Sequence, residues 1–166
     1  MLTNDELKDF PWSQLTWLIV NEGEARDLYQ VLSGSAAVPM LDSTGSNEGY
    51  KELESYSVVK ALSPLISGTS IVCTLGADGV LAFMPWLNEF IYLPAIECDV
   101  RDTTGAGDCF TGYLVSGLMR TGKKEAELTR EEMAETLQIC IQVRFICPIM
   151  HHVSFSYAHT GIGNVC

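Results

Sequence analysis

Asp102-Thr103-Thr104-Gly105-Ala106-Gly107-Asp108 runs without a break into Cys109-Phe110-Thr111-Gly112-Tyr113-Leu114, and the reading of this stretch decides the fold. Ala106, Cys109, Phe110, Tyr113, Leu114, Gly117 and Leu118 recur at helical spacing, so the pattern predicts an amphipathic helix that begins at Gly105. The backbone N–H groups of Gly105 to Asp108 then fall in the first turn, where no carbonyl precedes them to pair with. Such a turn lies at the positive end of the helix dipole and attracts anions. Gly105 and Gly107 have no side chains to hold a phosphate away. Asp108, beside that anion hole, is placed to accept the proton of an attacking hydroxyl while the amides stabilise charge on a transferred phosphoryl group. A plainer reading is that the glycines only permit a sharp turn and that Asp108 is an acid favoured by the dipole. The residues alone leave both open. The dinucleotide fingerprint is excluded, since Gly-x-Gly-x-x-Gly would need a glycine where Phe110 stands, and no ribose-binding acid accompanies it.

Outward toward the N-terminus, Leu15 to Val20 and Ser70 to Leu75 are short continuous apolar runs of the kind buried on both faces of a parallel sheet. Asn21 is suited to cap a following helix, with Glu22 and Glu24 near its positive end and Ala25, Leu28 and Leu32 as its inward stripe. Ser33 to Gly49 reads as a loop. Val58, Val59, Leu62, Leu65 and Ile66 predict a helix within Tyr50 to Ile66. Gly76 and Gly79 bracket a tight turn, and Val80 to Met84 and Glu89 to Leu93 read as paired strands linked around Pro85 and Asn88. Past a polar turn at Thr121 to Lys124, Met133, Leu137, Cys140 and Ile141 mark a helix from about Thr129 to Ile146. Alternating helices and strands put the chain in the α/β class, most simply a largely parallel sheet flanked by helices.

The 166 residues, 47% of them apolar, suffice for one domain that buries roughly 68 to 70% of its unfolded surface. A net charge of −11 argues against sequence-independent binding to nucleic acid or to an anionic membrane, and so favours a small ligand. No apolar run reaches the roughly eighteen residues needed to cross a bilayer. Six dispersed cysteines without a Cys-x-x-Cys pair and the absence of a signal-like opening suggest reduced thiols and a cytoplasmic or nuclear location. His151, His152 and His159 fit no usual zinc spacing, and Trp12, Trp17 and Trp86 are read as packing residues.

Asp102 to Asp108 matches the pattern D-T-x-G-A-G-D and so resembles the second signature of the ribokinase family, also called the phosphofructokinase-B family. The continuation CFTGYLVSGLMR is similar to fungal and other eukaryotic ribokinases. Asn21-Glu22-Gly23-Glu24 resembles that family's N-x-x-E element, which implies that Asn21 and Glu24 lie near the nucleotide phosphates and a hydrated Mg²⁺. Oxygen-rich side chains suit such an ion. Thr74-Leu75-Gly76-Ala77-Asp78-Gly79 resembles its T-L-G-x-x-G loop, which implies backbone and hydroxyl contacts to ATP; alone, it would read as a hairpin turn. The resemblance implies potassium near Asp102 and the carbonyl of Thr104. The family's remaining cation segment is not recognisable in Cys147 to Cys166.

The resemblance spans Leu2 to Ile146 and corresponds to the C-terminal half of a family member. It implies a ribokinase-like fold in which residues 1–147 form the nucleotide-binding, catalytic half, residues 148–166 are an atypical tail, and the N-terminal strands and β-lid are lacking. The lid is also where relatives pair as homodimers. The implied activity is ATP-dependent phosphorylation of a sugar hydroxyl, D-ribose to ribose 5-phosphate, with Asp108 as base and Gly105, Ala106 and Gly107 completing the anion hole. The alternative is a truncated, non-catalytic fragment that at most binds nucleotide, because losing a lid removes water exclusion from such a site.

Overall fold

Ser70–Thr74 (β2) is buried as its apolar run predicts, whereas the strand expected at Leu15 to Val20 is shifted to Trp17–Asn21 (β1) and, at the edge of the sheet, is only half-buried. The two pair in parallel with Trp17 opposite Ser70 and Asn21 opposite Thr74. The computed structural model of the chain describes residues 3–38, 49–95 and 105–150, with side chains as far as Gln142 in the last helix. Val80–Met84 (β3) and Glu89–Leu93 (β4) form the expected hairpin, turning through Asn88 at φ 53, a left-handed conformation that asparagine tolerates. The sheet order is β1-β2-β3-β4, and β3 runs antiparallel to both of its neighbours. The α/β reading holds, but the sheet is mixed rather than largely parallel, because the hairpin supplies two of its three pairings.

Helices cover both faces. On one, Glu22–Ser33 (α2, following the short α1 at Asn4–Lys8) and Glu54–Leu62 (α3) bury Ala25, Leu28, Val58, Val59 and Leu62 against Ile71, Cys73, Leu81 and Phe83. On the other, Ala106–Thr121 (α4) and Arg130–Met150 (α5) bury Phe110, Leu114, Met133, Leu137 and Cys140 against Val72, Val80, Ala82, Met84 and Ile91. Each fully buried Leu or Ile contributes about 1.5–3 kcal/mol relative to exposure. All five residues of β3 are buried, and they alternate between the two cores as the period of two requires.

Three sequence expectations shift in detail. The predicted helix over Tyr50 to Ile66 is shorter: Gly49–Glu52 is a 3-10 turn and α3 ends at Leu62. Pro64 has no N–H to extend the ladder, and the hydroxyl of Ser63 donates to the Lys60 carbonyl at 3.0 Å instead. Leu65 is consequently 41% exposed, whereas Ile66 is buried. On α4, Ala106, Phe110 and Leu114 face the core as expected, but Tyr113 is 47% exposed. The last helix continues to Met150, beyond the expected end at Ile146.

The tryptophans do pack. The indole of Trp12 donates to the Leu7 carbonyl and that of Trp86 to the Leu128 carbonyl, both at 3.0 Å, and Trp17 meets Trp86 edge-on.

Candidate active site

β4 runs in the same direction as β1 and β2, and the register lines up Asn21, Thr74, Val80 and Leu93 across one end of the sheet. That end carries the carboxyl termini of β1, β2 and β4, where open α/β sheets receive ligands. Two of the three sequence elements therefore meet there: Asn21 and Thr74 are direct neighbours across the parallel pair.

Asn21 caps α2, and Glu24 completes a reciprocal capping box. The Glu24 N–H donates to Asn21 Oδ1 and the Asn21 N–H donates to Glu24 Oε2, both at 2.9 Å. Both side chains are exposed hard-oxygen donors, suited to an ion that keeps its own waters. Each already commits one oxygen to the helix. Among the described residues no group of three or more His, Cys, Asp and Glu side chains forms a closed metal cage. Glu22 and Glu24 also reach toward β2: the Cys73 thiol is pushed up to about 12, first by burial and then by the charges of these two carboxylates. Glu22 accepts a hydrogen bond from the hydroxyl of Ser55, and Arg26 pairs with Glu54 at 2.7 Å, so α2 is tied to α3 behind the site.

Thr74 ends β2, Leu75 is buried, and Gly76–Asp78 is an exposed 3-10 turn. The Leu75 N–H donates to the Gly79 carbonyl at 2.8 Å and the Asp78 N–H to the Leu75 carbonyl at 2.9 Å, so the loop is closed on itself. Gly79 has φ 107, and a Cβ there would lie 2.1 Å from the Leu93 carbonyl oxygen. This glycine serves a close approach between backbones. Gly76, at φ 57, faces open space.

At the third element Gly105 is the N-cap of α4 with φ 76, and no side chain of the described residues caps the helix. The first backbone hydrogen bond of the helix is Cys109 N–H to the Gly105 carbonyl at 2.9 Å. The amides of Ala106, Gly107 and Asp108 therefore lack intrahelical acceptors. Gly105, Gly107 and Asp108 are exposed, Ala106 is buried, and a Cβ on either glycine would meet nothing within 4 Å. Among the described residues no side chain caps this helix start, in contrast to the start of α2, which its own capping box closes. Asp102 and Thr104 lie outside the described residues, as do His151, His152 and His159.

Sequence reasoning missed Tyr92 at this end of the sheet. Its hydroxyl donates to the Asp78 carbonyl at 2.8 Å. In the sequence it is one aromatic residue of a strand, and only the β3–β4 register brings it beside the loop.

Residues 3–136 match the pfkB family of carbohydrate kinases. The fold resembles the ribokinase of Cryptococcus neoformans var. grubii serotype A, solved in complex with ADP, at 39% identity and a TM-score of 0.68, covering 89% of this chain and 44% of that one. It also resembles the aminoimidazole riboside kinase of Salmonella enterica, solved with aminoimidazole riboside and an ATP analogue, at 22% identity and a TM-score of 0.59, covering 88% of this chain and 41% of that one. The chain therefore spans less than half the length of these solved relatives. With most of its length inside the family pattern and with this three-layer fold, the chain belongs to the pfkB family of carbohydrate kinases.

Proposed function

We propose that the chain carries the ATP-binding and phosphoryl-transfer part of a ribokinase-type sugar kinase, with D-ribose as acceptor and ribose 5-phosphate and ADP as products. The observation that carries the reading is the glycine-softened start of α4, where no side chain among the described residues caps the helix and Gly105 and Gly107 are exposed with Asp108 beside them. Asp108 takes the proton of the sugar hydroxyl as the oxygen attacks the γ-phosphorus, and the bond from that phosphorus to the bridging oxygen of ADP breaks. The amides of Ala106, Gly107 and Asp108 stabilise the charge that develops on the phosphoryl oxygens. Thr74 and the backbone from Leu75 through Gly76, Ala77 and Asp78 to Gly79 hold the nucleotide.

Asn21 and Glu24 would hold the water shell of Mg²⁺, which supplies charge neutralisation at the phosphates. Potassium is assigned to Asp102 and the Thr104 carbonyl, where it would order the anion hole. Ribose is preferred because of the identity to a ribokinase, and a cytoplasmic or nuclear location fits the thiols. No helix among the described residues is long and apolar enough to cross a membrane.

The second reading is a chain that at most binds nucleotide, without turnover. A coupled assay of ADP release with ribose, with and without potassium, separates the two. Turnover that vanishes in Asp108→Ala supports catalysis, and ADP binding without turnover supports the second reading.

A further inference from the structure

We infer that Tyr92 is a positioning residue for the Gly76–Gly79 loop, holding its peptide plane so that the loop can receive a nucleoside di- or triphosphate. The inference rests on the nucleotide reading of that loop. The Tyr92 hydroxyl donates to the Asp78 carbonyl at 2.8 Å. Because the peptide is planar and trans, anchoring that carbonyl also sets the direction of the Gly79 N–H, which points the opposite way. Gly79 itself cannot lock the loop through a side chain, since its backbone already presses on Leu93 to Ala95. The end of β4 therefore supports the loop twice, by backbone contact at Gly79 and by the hydroxyl at Asp78.

The ring that carries this hydroxyl is fixed by its neighbours. Tyr92 stacks on Tyr50 with centroids 5.4 Å apart and planes at 20°, and Tyr50 meets Tyr56 edge-on at 5.6 Å. Tyr56 meets Phe90 at 4.7 Å and Phe90 meets Phe83 at 4.8 Å, which links the ladder to the buried core. The plain alternative is that Tyr92 only covers this edge of the core. A ring would suffice for that. The hydroxyl hydrogen bond is exposed and exchanges with water at little net cost to the fold, yet it holds a carbonyl of the exposed 3-10 turn.

The test is calorimetric titration of the full chain with ADP, comparing wild type, Tyr92→Phe and the exposed control Tyr113→Phe, with urea midpoints for each and hydrogen exchange at Gly76 to Gly79. Tyr92→Phe keeps the ring stack and removes one hydrogen bond. The expected result is ADP binding weakened roughly three- to tenfold with faster exchange in the loop, an unchanged urea midpoint and an unaffected control. Equal ADP affinity in Tyr92→Phe and wild type would overturn the inference and leave the nucleotide reading standing. A fall in affinity together with a lowered midpoint would overturn it as well, by showing a role in overall stability. If wild type binds no ADP, the nucleotide reading of the loop fails first and takes the inference with it.

Discussion

Gly117 of α4 lies so close to Thr136 of α5 that a Cβ on the glycine would come within 2.7 Å of the threonine methyl. Thr136 cannot easily turn aside, because its hydroxyl donates to the Glu132 carbonyl at 2.9 Å and its branched side chain is stiff at χ1. The glycine is what lets the two helices approach here. Gly117→Val is expected to lower stability by about 1–3 kcal/mol, the usual cost of overpacking. Gly112→Ala on the same helix meets nothing within 4 Å and should instead raise stability by up to about 1 kcal/mol through helix propensity. Urea denaturation of the two variants checks the contrast.

Asn21→Ala should cost about 1 kcal/mol by removing the capping oxygen of α2, while Asn21→Asp should cost much less, because aspartate caps as well. The measurement is the urea midpoint at neutral pH. A loss of similar size in both variants would show that the amide does something other than cap.

The two glycines of the loop should respond differently. Gly79→Ala forces a Cβ into the Leu93 carbonyl at a backbone angle closed to alanine, and a loss of more than about 2 kcal/mol is expected. Gly76→Ala meets open space and carries only the left-handed penalty of about 1–2 kcal/mol. Thermal melts of both variants decide the order.

Glu125 gives a pH signature. Its carboxyl is raised above its ordinary value of 4.5 by burial, with the hydroxyl of Ser70 partly offsetting the shift by donating to it. A raised folded-state value means that the native state holds the proton more tightly than the unfolded chain. The contribution of this group to stability is therefore full below 4.5 and falls as pH climbs through the raised value. Glu125→Gln, which can still accept from Ser70, should flatten that decline, so its stability relative to wild type should improve from pH 4 to pH 7. Urea midpoints across that range test it; parallel curves would refute the assignment.

Local chemistry was readable in the sequence, and long-range pairing was not. Asn21 announced its cap, the Leu15 to Val20 and Ser70 to Leu75 runs their strands, and Met133, Leu137, Cys140 and Ile141 the buried side of α5, since each depends on neighbours within a turn or two. α3 ends before its apolar spacing does, because that spacing continues past Pro64 while the backbone cannot. Tyr113 fits the helical period of α4 but lies at the margin of its stripe, where only packing decides burial. In the candidate site, the start of α4 at Gly105 is legible from its glycines. The adjacency of Asn21 to Thr74 and of Tyr92 to Asp78 required the strand register.

The central strand β3 has one more consequence. Leu81 and Phe83 point into one helical layer while Val80, Ala82 and Met84 point into the other, so a shift of its pairing by a single residue would exchange both sets at once. Neither side could then tolerate the error for the benefit of its neighbour. The hairpin acts as a shared clock for the two layers, and the molecule should assemble both or neither.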